Sequence, residues 1–587
     1  MTIDGLLTFL TLLVAVYALT SRAQRLNLLL KIRIWHWLIS LLLLAIVHIL
    51  EFPMIFAISP ALQSIIIKIK NPKEVAYLVL LTGVVFIGFS IHLSPLPRNR
   101  AQRLNQLIAT LTTNGETAEV LALLQTHFNR LVRIYRGDFF APRLRTWLVS
   151  GNRFSRGPDL EHLAEKLRRR GRSESLRPLK HNIADRMRKK IGNSSRYLGN
   201  LLPSNEMEKN AVSTMLRSNL LHPQILQAII KSQPYFGLRV LSEDTQVRFE
   251  FCDEFLRALL IDTSSILYLE IKNNQNNAQR NRYTLPENNQ LLHYLFFNAV
   301  NAETLGVWKP IGEEVIADLN RRHRNMTDAY NDSLMDYSER GQWKCPIFVG
   351  IRFFDIMISE AIAQNICWHM WLYYFPYFVD GICRNYLPEK QRVDLDSEFP
   401  TVYSFLLYEI ISTIRTWIST IRELPLDQSN IVLESEALIH ENGNIIKSSI
   451  LVLGMCLKKI LITNNIPTQL KSYLASIGLD LFFELAIIPD LARYASTLRA
   501  SLLFGGSEHR DAENINYTGH LIRAVICNDN IPHNNKDVTA LLNDLFHQFV
   551  KHEELKNIAR YVELIELNGN TVKVSKCEGM RIYTISI

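Results

Sequence analysis

The dominant pattern in the chain is a set of three apolar stretches within its first hundred residues. Residues 5–20 read GLLTFLTLLVAVYALT, residues 35–58 read WHWLISLLLLAIVHILEFPMIFAI, and residues 76–93 read AYLVLLTGVVFIGFSIHL. Each approaches the roughly 20 residues that carry a helix across about 30 Å of hydrocarbon. No Lys or Arg precedes the first stretch and no small-x-small site follows it, so it reads as a retained span rather than a cleaved signal. His48 and Glu51 are three apart and share one face of the second stretch, with Pro53 just beyond. Thr82, Ser90 and His92 punctuate the third, where Gly83 and Gly88 suit close helix approach. An ionisable group at depth costs about 2.5–3.5 kcal/mol on insertion scales, so it normally faces a partner or water. His48, Glu51, Thr82 and His92 are therefore candidates for a polar seam. A ring of Glu51 side chains from several copies would favour cations. The alternative is that Glu51 and Pro53 merely mark the end of a span.

Beyond the third stretch the apolar spacing changes to threes and fours. Val120, Leu121, Leu124, Phe128, Leu131, Val132 and Tyr135 predict an amphipathic helix within 104–135, with Asn114 and Gly115 as punctuation. Helical spacing resumes over 206–232. Three short runs read as strands: LRVL at 238–241, VRFEF at 247–251 and the alternating SILYLEI at 265–271. KNNQNNAQRNR at 272–282 reads as a polar loop. Seven aromatic residues crowd 368–378, which predicts a large helical core or an interface. Helices are expected at 401–423, 431–464, 467–480, 482–504 and 536–559. At the C-terminus YVELIEL, Asn568-Gly569-Asn570 and TVKVSK form a hairpin signature, and MRIYTISI adds a strand.

Charge alters the picture in one region. From Arg130 to Arg196 nineteen Lys or Arg stand against six Asp or Glu, a net of +13, more than the whole chain's +9. The cluster includes Arg143, Arg145, Arg168, Arg169, Arg170, Arg172, Arg186, Arg188, Lys189 and Lys190. An anionic inner leaflet suits it, at about 1 kcal/mol per basic group near the surface. Nucleic acid or a nucleotide is a second partner, since Tyr135, Phe139, Phe140, Trp147 and Phe154 interleave with the arginines. A solvated face is the third reading. Arg22, Arg25, Lys31 and Arg33 follow the first stretch and Arg98, Arg100 and Arg103 follow the third, which puts both groups on the cytoplasmic side. Lys68, Lys70 and Lys73 oppose that assignment.

With 48% apolar and 21% charged residues, the chain as a whole is neither disordered nor a polytopic transporter. Its seven cysteines are widely spaced, with no CxxC, which fits a reducing compartment. HExxH, GxSxG, GxxxxGK[ST] and GxGxxG are absent from the sequence. Cys252 has only acids beside it, Asp253 and Glu254, which oppose an activated thiol. His547 and His552 are five apart, off one another's face. Asp262, Glu270, Glu313 and Glu314 make a nuclease-like site only if folding converges them. No catalytic, cofactor or metal residue is assigned and no cofactor is expected, with the balance leaning away from an enzyme.

The sequence thus predicts a mainly α protein of the inner membrane, with about three transmembrane helices, N-terminus outside, and a large cytoplasmic body ending in a small β element. The expected divisions are an anchor over 1–97, a basic juxtamembrane segment over 98–202, a helical domain with minor strands over 203–400, and a helical domain over 401–587. The expected function is binding and signalling through an oligomeric anchor, in its boldest form ion conduction. The expected partners are the bilayer, further copies of the chain and a protein. The layout resembles membrane effectors of bacterial immunity in architecture alone, and no residue motif carries the likeness. A passive tether for a cytosolic complex and a membrane-bound enzyme acting on nucleic acid or lipid are the alternatives.

Overall fold

Helices account for most of the described residues. The computed structural model describes residues 11, 18–52, 71–97, 100–138, 206–276, 278–279, 282–323, 328–334, 341–366, 368, 372–388, 393–394, 397–423, 445–506, 515–528, 536–568, 571–575 and 582–586. They fall into two compact units, Met1–Arg248 and Phe249–Ile587.

In the first unit, α1 (Arg22–Lys31) opens on a capping box in which Ser21 and Gln24 satisfy each other's backbone N–H groups. α2 (Ile34–Glu51) and α3 (Pro72–Leu93) pack against each other. α4 (Ala101–Thr113) and α5 (Thr117–Arg136) follow. The turn between them needs φ +77° at Gly115, a left-handed conformation that costs glycine little. The expected apolar stripe is buried along α5 from Val120 to Val132, with Asn114 and Gly115 in the turn before it. α6 (Glu206–Leu220), α7 (Pro223–Ser232) and α8 (Pro234–Ser242) complete the unit, with α6 on α4 and α5, and α7 on α5 and α8. Pro223 and Pro234 each sit in a first turn, where the missing N–H is no loss.

The second unit begins with α9 (Arg248–Ile261) and α10 (Ile266–Asn274). All three short runs expected to be strands are helical: LRVL lies in α8, VRFEF reaches into α9, and SILYLEI lies in α10. The reason is visible in α10, where Leu267, Glu270, Ile271 and Asn274 are buried at spacings of three and four. Two of those four are polar, so apolar alternation alone pointed to the wrong period. The polar stretch 272–282 is likewise no simple loop: it completes α10, and Ala278–Gln279 (β1) pairs with Arg282–Tyr283 (β2).

α11 (Gln290–Phe296), α12 (Ala299–Leu305), α13 (Trp308–Arg322), α14 (Pro346–Ala363) and α15 (Tyr374–Asn385) come next. The aromatic-rich stretch is a helical core: Phe354 on α14 packs against Tyr374, Phe375 and Phe378 on α15. α16 (Val402–Ser419), α17 (Ile445–Ile462), α18 (Thr468–Ala486), α19 (Ala492–Phe504), α20 (Ile515–Cys527) and α21 (Lys536–His552) build the remainder. The break expected near 481 lies instead at 487–491, where Pro489 cannot continue α18. β3 (Glu563–Asn568), β4 (Thr571–Ser575) and β5 (Ile582–Ser586) form an antiparallel sheet in sequence order, as the hairpin signature required.

Candidate membrane interface

α2 and α3 form a helical hairpin whose outer surface is apolar. Trp37 is 68% exposed, Leu41 69%, Val85 64% and Phe89 63%. Of the most apolar window in Glu74–Leu93 only 6% is buried. A soluble core helix has the opposite property, and soluble monomers rarely leave apolar patches beyond a few hundred Å² uncovered. At 1.5 Å per residue, the 18 residues of α2 and the 22 of α3 extend about 27 and 33 Å, close to the hydrocarbon thickness. The described residues hold one candidate span in α3, and a second if α1 and α2, bent by 89°, count together. Apart from Thr11 and residues 18–20, the first apolar stretch lies outside the described residues, as do Pro53–Ile58.

Two contacts set the register of the hairpin. A Cβ built on Gly83 would stand 2.5 Å from Leu43 Cδ1, so the glycine lets α2 and α3 close together. Gly88 has nothing within 4 Å of its Cβ position and plays no such part. The second contact is His36, which accepts the Arg33 backbone N–H at Nδ1 (2.9 Å). In the neutral ring Nε2 therefore carries the proton and faces Ser90 Oγ at 3.4 Å. Pairing His36 with Ser90 and Leu43 with Gly83 makes the helices antiparallel.

That register separates His92 from His48, whereas Thr82 lies about one helical turn from His48 along the hairpin. His48 sits at the far end of α2, exposed, with Nδ1 2.9 Å from Leu44 O. Glu51 ends α2, and its side chain lies outside the described residues. Thr82 is exposed near the middle of α3 and donates to Leu78 O at 2.7 Å. His92 is exposed at the opposite end, level with the start of α2. His48 and Thr82 bond within their own helices, and His92 is about 20 Å along the hairpin from His48 at 1.5 Å per residue. Arg143, Arg145, Arg168, Arg169, Arg170, Arg172, Arg186, Arg188, Lys189 and Lys190 all lie outside the described residues.

Basic side chains tie the near end of the hairpin to the rest of the unit. Lys31 Nζ donates to His92 O at 2.8 Å, and Arg33 Nη2 to Pro95 O at 3.0 Å. Arg100 Nη1 reaches Leu29 O at 2.9 Å and Leu30 O at 3.1 Å, while Arg130 Nε reaches Leu96 O at 3.2 Å. The last carbonyls of a helix lack intrahelical partners and carry the negative end of its dipole, so cations belong there. The sequence marked these residues only as basic flanks. Which carbonyl each one meets depends on α1, α3 and α4 converging. His127 on α5 is buried beside this collar, and its Nε2 has no hydrogen-bond partner among the described residues. Burial, reinforced by Lys31, pushes its pKa down to about 4.

No family model, curated protein or solved structure matches the chain. Its reading therefore rests on its own geometry.

In the second unit the scattered carboxylates do not converge. Asp262 Oδ1 accepts from the backbone N–H and hydroxyl of Ser264, Glu313 pairs with Arg257, and Glu314 pairs with Arg321. Glu270 is buried and accepts the backbone N–H groups of Leu291 (3.1 Å) and Leu292 (2.9 Å), capping α11 from a distance. Among the described residues no group of three or more His, Cys, Asp or Glu could hold a metal. Cys252 is buried. Burial raises Cys383 to about 12 and Cys456 well above its ordinary value, the opposite of an activated thiol. His547 is exposed on α21, and the side chain of His552 lies outside the described residues.

Two polar clusters went unread in the sequence. Asp355 is buried between Tyr283 OH (2.6 Å), Trp417 Nε1 (3.1 Å) and Arg352 Nη1 (3.2 Å), joining β2, α14 and α16. Lys471, 3% exposed, points its Nζ at His520 Nε2, 3.4 Å away. Burial lowers the pKa of both partners, His520 to about 4. Both clusters draw on residues distant in sequence, so no local spacing announces them.

Proposed function

We propose that this chain is a membrane-anchored binding and signalling protein. The anchor is the α2–α3 hairpin, joined by residues 5–20 as a third span, and the helical body lies on the cytoplasmic side of the inner membrane. The observation that supports this is the outward-facing apolar surface of α2 and α3, which water would penalise and lipid would not. The clustering of Arg33 and Arg100 at one end of the hairpin supports a cytoplasmic near end. The body binds a partner, copies of the chain associate, and the collar of basic side chains couples that event to the hairpin. In the effector form of this reading, assembly of several copies brings Glu51 together and opens a cation path.

A passive tether is the second reading. It is favoured by His48 and Thr82, which bond within their own helices. One experiment separates the readings. Membranes carrying the full chain are washed with alkaline carbonate, then assayed for dye leakage with wild type and Glu51→Ala. Release of the protein by the wash would defeat the anchor itself. Retention with leakage that Glu51→Ala abolishes supports the effector form, and retention without leakage supports the tether.

A further inference from the structure

We infer that α1 is an in-plane helix that docks on the anionic headgroup layer of the membrane, and so fixes the depth and tilt of the hairpin. The inference rests on the anchoring role of α2 and α3. α1 meets α2 at 89°, across a break of only Ile32 and Arg33. A helix at right angles to a spanning helix runs parallel to the membrane surface. With 10 residues it extends about 15 Å, half of what a span requires.

Composition and neighbours fit that position. α1 reads RAQRLNLLLK, with Arg22, Arg25 and Lys31 beside four leucines, the make-up of helices that lie in an interface. Residues 18–34 and 94–113 contain seven Lys or Arg and no Asp or Glu. Arg22 pairs with Glu116, and phospholipid headgroups at the hairpin's near end offer the other basic groups an anionic partner. Trp35 and Trp37, 42% and 68% exposed, stand one turn into α2, where indole rings sit at a membrane boundary. On the protein side, Arg100 holds the last carbonyls of α1 and Lys31 holds the end of α3. The helix is therefore fixed at one depth relative to the hairpin. Arg103, exposed on α4 one turn beyond Arg100, extends the same basic surface.

The test uses the full chain in vesicles of phosphatidylcholine with and without phosphatidylglycerol. Nitroxide probes on a genetically encoded ketone side chain are placed at positions 22 and 29, two turns apart on one face of α1, and at positions 41 and 85 on the hairpin. Relative accessibility to oxygen and to a water-soluble nickel chelate gives the depth of each. An in-plane α1 puts 22 and 29 at one depth near the headgroups. A spanning α1 separates them by about 10 Å. Full nickel exposure at 22 and 29, with 41 and 85 in lipid, overturns the inference alone. Nickel exposure at 41 and 85 overturns the anchor and the inference together. Arg25→Gln with Arg103→Gln should reduce the phosphatidylglycerol that survives delipidation by about five-fold per basic group. Unchanged retention would remove the headgroup contact.

Discussion

His36 Nε2 on α2 lies 3.4 Å from Ser90 Oγ on α3, and the imidazole orientation behind this contact is set by the Arg33 backbone N–H at Nδ1. The histidine is 2% exposed, so the pair is a buried polar clasp between the two helices. Hydrogen bonds between membrane helices contribute about 0.6 kcal/mol on average and up to about 1.7. His36→Ala is expected to lower the midpoint of detergent-induced unfolding, with a loss of free energy in that range, and Ser90→Ala to lower it by less, because only the histidine also caps α2. An unchanged midpoint for His36→Ala would show that the clasp carries no weight.

Gly83 and Gly88 make a matched pair of controls. Adding a methyl at 83 meets Leu43 at 2.5 Å, whereas 88 is open. Overpacking typically costs about 1–3 kcal/mol, reduced where a leucine end can swing away. Gly83→Val should loosen the α2–α3 pairing, and Gly88→Ala should leave it intact. Cross-linking efficiency between probes on the two helices reads both. Equal effects of the two substitutions would mean that the helices do not meet at Gly83.

Glu270 gives the second unit a distinct pH response. Burial raises its carboxyl from an ordinary 4.5 to about 7, although two backbone N–H bonds pull the other way. The folded state then binds more protons than the unfolded state between those values. Stability contributed by this group is full below about 4.5 and falls as pH rises towards 7. Glu270→Gln should flatten that dependence in a series of urea midpoints. Glu270→Ala should cost about 1–3 kcal/mol per N–H left unsatisfied on α11. A wild-type curve that rises over this window, with the slope unchanged in Glu270→Gln, would refute the assignment.

His127 should act in the opposite sense in the first unit. Its pKa falls from 6.5 to about 4 because the imidazole is buried near Lys31. The folded state binds fewer protons between those values, so stability is full above about 6.5 and declines as pH drops towards 4. His127→Leu fills the same site without a titratable ring and should remove most of that acid sensitivity. Amide exchange across α5 at neutral and mildly acidic pH measures it, and equal acid sensitivity in His127→Leu would exclude the histidine as the cause.

Much of this protein was legible before folding was considered. The α2 and α3 segments, the α5 stripe, the aromatic core of α14 and α15 and the terminal hairpin each declare themselves within one stretch of chain. In every case the signal is local periodicity or an unbroken apolar run, and both are set by which side chains must leave water. The helix α10 was misread because two of its five buried residues are polar: Glu270 and Asn274 face inward at helical spacing.

Tertiary structure decided everything that depends on two distant segments meeting. It turned Lys31, Arg33, Arg100 and Arg130 from flanking charges into carbonyl ligands, and it set His48 and His92 at opposite ends of one hairpin. It gave Asp262, Glu270, Glu313 and Glu314 separate partners. A sequence fixes which residues seek lipid, water or a hydrogen bond along each helix. Only the packing of one helix on another determines which partner each polar group finds, because that choice turns on distances of a few ångströms between residues far apart in the chain.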